Sequence, residues 1–211
     1  MTMRYLSIPK RPFCAALLLS LLLLPSQAAC AEGGEGAPPQ AALCASCHGA
    51  DGVPINKQTP VIWGQNEGYL FLQLRDFKGG SRKNDLMGPV AATLERDDML
   101  ALAAYFSKLK WPNLQQPDPS ADVIAKALSA AGSVGCPACH LAHFQGDGTT
   151  ARLAGQWQEY LIGTMMAFRD GARGNNPGMS DLMKATAPDD LEALSRYLAG
   201  LQIDAYINQD R

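Results

Sequence analysis

The chain has 211 residues, of which 47% are hydrophobic, and its 18 Lys and Arg against 20 Asp and Glu give a net charge of −2. This length is enough for one large or two small domains, and the slightly acidic balance argues against nucleic acid as a partner. Alanine, leucine and glycine are plentiful and β-branched residues are sparse. That composition favours helices joined by glycine-containing loops.

Residues 1–31 have the composition of a signal peptide. A basic start precedes an apolar run over residues 13–24, which is too short to span a bilayer. The Ala-Cys-Ala sequence that ends at Ala31 predicts cleavage there and export to the periplasm, leaving 15 basic and 20 acidic residues. Cleavage after Ala28, a retained membrane anchor and lipidation of Cys30 are the alternatives. Lipidation is less favoured because a glutamine, not an aliphatic residue, lies three positions earlier.

The remaining chain predicts helical elements in a fixed order. A first helix ends in the sequence CASCH, and a glycine-rich loop leads to a middle helix over residues 67–77. A polar loop carrying Met87 comes next, and the last helix begins at Asp97 and Asp98, whose charges suit the positive end of a helix dipole. Residues 111–122 contain three prolines and predict an extended linker.

The same order then recurs, which makes an internal repeat the main organisational feature. His48 and His140 are 92 residues apart, as are Tyr105 and Tyr197. The repeat predicts a first domain at 36–110, a linker at 111–122 and a second domain at 123–211. Between the histidines and the tyrosines a spacing of 91 relates Gln65, Tyr69, Phe77 and Arg82 to Gln156, Tyr160, Phe168 and Arg173.

Each half contains the motif Cys-x-x-Cys-His once. In this motif the two thiols add across the vinyl groups of a haem and the adjacent histidine reaches the iron. Two occurrences, in register with a repeat, predict two covalently bound haem c groups. A zinc site made by all four cysteines, a redox-active CxxC and ordinary disulfides are weaker alternatives. The predicted attachment and iron-binding residues are Cys44, Cys47 and His48, and Cys136, Cys139 and His140.

Methionine is the predicted sixth ligand of each iron, because the chain has three histidines and two bis-histidine haems need four. In the first half Met87 lies in the polar loop, whereas Met99 has helical spacing and is expected in the core. In the second half Met179 is 18 residues before Tyr197, the distance that separates Met87 from Tyr105, and we favour it over Met183. Met165 and Met166 fall within a predicted helix and are expected to pack in the core.

The stretches CASCHGADG, GQNEGYLFLQLRDFKGGSRKNDLM and DDMLALAAYFSKLK resemble class I cytochromes c. The tandem arrangement resembles the cytochrome c4 family over essentially the whole mature chain. The resemblance implies an all-α fold of two tandem class I cytochrome c domains, each a small helical fold around one covalent haem. It also implies a periplasmic one-electron carrier of a respiratory chain that delivers electrons to a terminal oxidase.

The resemblance further implies that the carbonyl of Pro60 accepts a hydrogen bond from the Nδ1–H of His48. The second half departs from the family pattern, because Ala151 or Arg152 replaces the proline and Leu141 replaces the usual glycine. We therefore expect two haems with unequal reduction potentials. Tyr69 and Tyr160 are expected to form hydrogen bonds near the haems or between the domains, or else to pack as helix aromatics. Three arginines are expected to meet haem propionates or to lie on a solvated face: Arg75, Arg82 and Arg173.

The predicted function is electron transfer and not catalysis. Expected partners are redox proteins such as a quinol-oxidising complex and a terminal oxidase, with no nucleic acid, no small-molecule substrate and room for peripheral membrane association. The alternatives are a haem subunit of a larger oxidoreductase complex, a di-haem peroxidase and a sulfur-compound oxidoreductase. An enzyme of these kinds needs an open iron site, which an available methionine in each half argues against.

Overall fold

The computed structural model describes residues 36–202, where the chain forms nine helices and no strand. The predicted all-α class is confirmed. These residues belong to one compact unit, Ala31–Arg211. The predicted signal peptide, with Cys30 and the cleavage site, lies outside the described residues. Within 36–202 no helix is both long enough and apolar enough to cross a membrane.

The first half is built from four helices around a small apolar core. α2 packs against α4 and α3, which brings the middle and last predicted helices together. Met99 lies in this core, as expected. The helices are α1 (Ala41–His48), α2 (Glu67–Lys78), α3 (Met87–Ala92) and α4 (Arg96–Lys108). The core contains Ala41, Leu70, Leu94, Met99, Leu102, Ala103 and Phe106.

The second half has five helices and a larger core. Its last helix packs against both the first and the middle helix of this half. Met165 lies in the core and Met166 packs against it, as expected. The helices are α5 (Ala121–Val134), α6 (Cys136–His140), α7 (Gln158–Arg169), α8 (Pro177–Ala185) and α9 (Pro188–Gly200).

Acidic residues begin the last helix of each half, as predicted. In α4 a capping box joins Glu95 and Asp98, because each side chain accepts a hydrogen bond from the other residue's backbone N–H. In α9 Pro188 occupies the first turn, where a missing N–H costs nothing, and Asp189 and Asp190 follow it. These residues set where the last helix of each half begins, and each of these helices contributes to its core.

The predicted polar loops around the methionines are wrong in one respect. Met87 begins α3, and Met179 lies in the first turn of α8. The sequence suggested loops because glycine and proline surround both methionines. An asparagine three residues before each methionine accepts a hydrogen bond from the methionine's backbone N–H. In α8 this asparagine is the N-cap, whereas the N-cap of α3 is Leu86, which makes no capping hydrogen bond with its side chain.

The segment over residues 110–120 forms neither helix nor strand. It packs on the second half: Trp111 is buried, and its indole N–H lies 3.4 Å from the carbonyl oxygen of Gly155. The side chain of Gln116 donates to the carbonyls of Gln156 and Ala199. The domain limits drawn from the repeat remain a prediction.

Candidate haem-attachment sites

The first Cys-x-x-Cys-His motif occupies the second turn of α1. Cys44 is partly buried, Cys47 is exposed and His48 is buried. The Nδ1 atom of His48 lies 2.7 Å from the carbonyl oxygen of Pro60, as predicted. Because that oxygen can only accept, it assigns the proton to Nδ1 and leaves Nε2 free to bind a metal.

In the second motif the histidine makes the same Nδ1 contact with a carbonyl, but the surrounding backbone has a different conformation. α5 ends at Val134, the next residue Gly135 has a φ of 74° that breaks the helix, and the motif forms the separate helix α6. The Nδ1 atom of His140 lies 2.9 Å from the carbonyl oxygen of Ala151. Leu141 and Phe144 adopt positive φ values of 64° and 55°, which non-glycine residues seldom do. The second histidine is therefore held like the first, by a loop with a more strained path.

Burial controls the protonation of both histidines. It lowers the pKa of His48 and of His140, while the hydrogen bonds to the Pro60 and Ala151 carbonyls act in the opposite direction. The neutral imidazole is the form that binds iron. Burial therefore favours the neutral form of both imidazoles, which is the form able to bind a metal.

The four cysteines do not support the alternative chemistries. Among residues 36–202 none of the four is paired in a disulfide. Burial raises the pKa of Cys44 to about 11 and also raises that of Cys136, so neither of these two thiols has the lowered pKa of an activated redox cysteine. Among residues 36–202 no three His, Cys, Asp or Glu side chains come together as a metal-binding cluster, so the cysteines do not form one shared zinc site.

The two favoured methionines occupy equivalent positions. The Oδ1 atom of Asn84 accepts from the backbone N–H of Met87 at 2.9 Å, and Oδ1 of Asn176 accepts from that of Met179 at 3.1 Å. Both methionines are partly buried. Met183, the alternative, is only 2% exposed and forms part of the second core.

Two buried indole groups test whether the surroundings suit a haem. Nε1 of Trp63 and Nε1 of Trp157 are buried, yet neither has a hydrogen-bond partner within residues 36–202. An indole N–H can only donate, and a buried donor left unpaired is costly. A haem brings two propionate carboxylates, which are acceptors of the kind these donors lack. The residues present therefore fit the group.

A polar network joins the two halves. Nη2 of Arg82 donates to the Tyr160 hydroxyl at 3.0 Å, and Nη2 of Arg173 lies 3.3 Å from the Tyr69 hydroxyl. Both arginines also donate to Oε1 of Gln73. Of the three alternatives for Tyr69 and Tyr160, the structure shows hydrogen bonding between the halves. Arg75 instead pairs with its neighbour Asp76.

A cavity of about 290 Å³ lies beside this network, with Arg82, Tyr160 and Arg173 in its wall. Burial raises the pKa of Tyr160, but the two arginines outweigh burial and lower that pKa to about 8. The interface therefore carries positive charge next to an ionisable hydroxyl.

Comparison with known proteins places the chain. No protein-family model matches it. Over 204 residues it is 33% identical to cytochrome c4 of Azotobacter vinelandii, covering 88% of this chain and 95% of that protein. The chain belongs to the cytochrome c4 family. The crystal structure of reduced recombinant cytochrome c4 from Pseudomonas stutzeri superposes with a TM-score of 0.69 at 29% identity, covering 77% of this chain and 95% of that one.

A second relative has a different name. The chain is 34% identical over 203 residues to the thiosulfate dehydrogenase electron acceptor of Stutzerimonas stutzeri, covering 89% of this chain and 92% of that protein. As a cytochrome c4 family member the chain carries two covalent haem c groups and transfers electrons.

Sequence reasoning did not identify the buried indole groups of Trp63 and Trp157 as hydrogen-bond donors. It used Gln65 and Gln156 only as markers of the repeat.

Proposed function

We propose that four cysteines, two histidines and two methionines hold the haems. The supporting observation is an arrangement that occurs twice: an attachment motif, a histidine fixed through Nδ1, and a methionine whose backbone N–H donates to the asparagine three residues earlier. Each bound haem supplies a one-electron Fe(III)/Fe(II) couple. The set is Cys44, Cys47, His48 and Met87 in the domain at 36–110, and Cys136, Cys139, His140 and Met179 in the domain at 123–211.

The chain's own residues bind, orient and shield these groups. The carbonyls of Pro60 and Ala151 fix the rings of His48 and His140. Methionine ligation favours the reduced iron and raises its reduction potential. A histidine and a methionine that would both bind each iron would leave no open site for a substrate, which suits a carrier.

The attachment residues are tested one haem at a time. The paired change Cys136→Ser with Cys139→Ser should leave one covalent haem per chain, measured by intact mass and by the haem absorbance that survives acid–acetone extraction. Ser46→Ala is the matched control, because Ser46 is exposed between the cysteines of the other motif and should leave both haems in place. Two retained haems in the double serine variant would contradict the assignment.

We infer that the protein works in the periplasm and passes electrons from a quinol-oxidising complex to a terminal oxidase. This rests on the signal-like sequence of residues 1–31 and on membership of a family of electron carriers. Sequencing the N-terminus of the exported protein should find Glu32. Finding a lipid-modified Cys30 at the N-terminus would contradict this and would show that the carrier is anchored to the membrane.

A second role is favoured by the Stutzerimonas stutzeri relative, which is named for accepting electrons from thiosulfate dehydrogenase. In that role a sulfur-compound dehydrogenase donates to this chain. The two roles are separated by stopped-flow reduction of the oxidised protein. Rapid reduction by a quinol-oxidising complex, followed by reoxidation by a terminal oxidase, supports the first role. Reduction by thiosulfate dehydrogenase with thiosulfate, and not by the quinol-oxidising complex, supports the second.

A further inference from the structure

Two buried glutamines cross between the halves at equivalent positions of the repeat. Gln65 is 4% exposed and Gln156 is 2% exposed. Each lies two residues before the first residue of a middle helix, α2 or α7. Each Oε1 also accepts from the next backbone N–H, at 2.9 Å and 3.0 Å, which fixes the orientation of the carboxamide.

Gln156 of the second half forms two hydrogen bonds with the backbone of the first half. Its Oε1 accepts from the N–H of Val61 at 2.9 Å, and its Nε2 donates to the Val61 carbonyl at 3.1 Å. The Val61 N–H belongs to the same peptide group as the Pro60 carbonyl. That carbonyl accepts from Nδ1 of His48 at 2.7 Å. One peptide group therefore links Gln156 to the histidine of the other half.

Gln65 makes the equivalent link in the opposite direction, from the first half to the second. Its Oε1 accepts from the N–H of Arg152 at 2.7 Å, and its Nε2 donates to the Arg152 carbonyl at 2.9 Å. The Arg152 N–H shares a peptide group with the Ala151 carbonyl, which accepts from Nδ1 of His140 at 2.9 Å. The two links are related by the repeat, although proline in one half is replaced by alanine in the other.

We propose that each glutamine is a positioning residue for the histidine of the opposite half, so that Gln156 tunes the His48 haem and Gln65 tunes the His140 haem. The proposal rests on the proposed role of these histidines as iron ligands. Hydrogen bonds in a chain polarise one another. A peptide group that donates from its N–H becomes a stronger acceptor at its carbonyl, which makes the histidine a more basic ligand. A more basic ligand favours Fe(III) and lowers the potential of that haem.

The test exchanges each glutamine for methionine, which has similar length but lacks the carboxamide. In Gln156→Met the Fe(III)/Fe(II) equilibrium of the His48 haem should shift toward Fe(II) by about two- to threefold, with a smaller change at the His140 haem. In Gln65→Met the larger shift should occur at the His140 haem. Potentials of the two haems in the holo-protein are separated by following their assigned haem methyl resonances during a redox titration.

Asn66→Ala is the matched control for a loosened interface. Its Nδ2 atom donates across the interface to the carbonyls of Gln145 and Thr150, whereas Nδ1 of His140 bonds to the Ala151 carbonyl. This variant should not reproduce the selective shift of the His140 haem. A second readout is the Nδ1–H proton resonance of each histidine in the reduced protein, which should move upfield at His48 only in Gln156→Met.

The crossed pattern decides the outcome. Equal shifts of both haems in both variants, or a shift in the glutamine's own half, would overturn the proposal. If a methionine variant does not fold, Gln156→Glu keeps an acceptor for the Val61 N–H, and it should lower the potential of the His48 haem more than that of the His140 haem; an equal lowering would also overturn it. Absence of covalent haem from the wild-type chain would instead refute the proposed function.

Discussion

Leucine at position 179 or 183 tests which sulfur binds the second iron. Met183 is 2% exposed in the core that contains Phe168, Leu191 and Leu194. Exchange of methionine for leucine nearly conserves volume, so Met183→Leu should cost less than about 1.5 kcal/mol of unfolding free energy. Met183→Ala would empty part of this core and cost about 2–5 kcal/mol. The leucine variants therefore separate ligation from packing.

The assay is the sulfur-to-iron charge-transfer band of the oxidised protein, normalised to the haem content. With one methionine on each of two irons, Met179→Leu should lose about half of the band and lower the potential of the second haem. Met183→Leu should keep the whole band, and Met87→Leu provides the matched loss in the first half. Half of the band lost in Met183→Leu, with the full band kept in Met179→Leu, would refute the reasoning from the Asn176 contact.

Three further changes probe the interface and the core. Tyr160→Phe should abolish a tyrosine ionisation near pH 8, measured by ultraviolet titration. In the wild type, ionisation of Tyr160 beside the two arginines stabilises the fold; this stabilisation is fully present above pH 10 and is lost as the pH falls through about 8. Gly68→Ala should lower the melting temperature, because its new Cβ would lie 2.8 Å from the Gly148 carbonyl oxygen, whereas Gly132→Ala, with nothing within 4 Å, should gain up to about 1 kcal/mol. Leu191→Ala should cost about 2–5 kcal/mol in denaturant unfolding, whereas Leu128→Ala at a 49% exposed position should cost much less.

The repeat made much of the fold predictable. It placed the middle helices correctly, because Glu67 and Gln158 begin segments with a shared pattern. It also matched Met87 with Met179, and the structure adds equivalent asparagine contacts. Local patterns of this kind depend on residues a few positions apart, which the sequence shows directly.

Other features depend on contacts that no local pattern reveals. The choice of Ala151 over Arg152 as partner of His140 follows from the path of a loop with Leu141 and Phe144 at positive φ, where sequence would suggest glycine. The glutamine contacts join residues 87 and 95 positions apart. Trp63 and Trp157 do not match under the repeat, so the repeat could not pair them.

The two histidine sites are inequivalent. The first histidine is held by a proline carbonyl, and the second is held by an alanine carbonyl in a strained loop. The most direct test is a potentiometric titration of the holo-protein with both haems quantified. We predict two one-electron waves of equal amplitude with separate midpoints. A single n = 1 wave in which both haems share one midpoint would contradict the account.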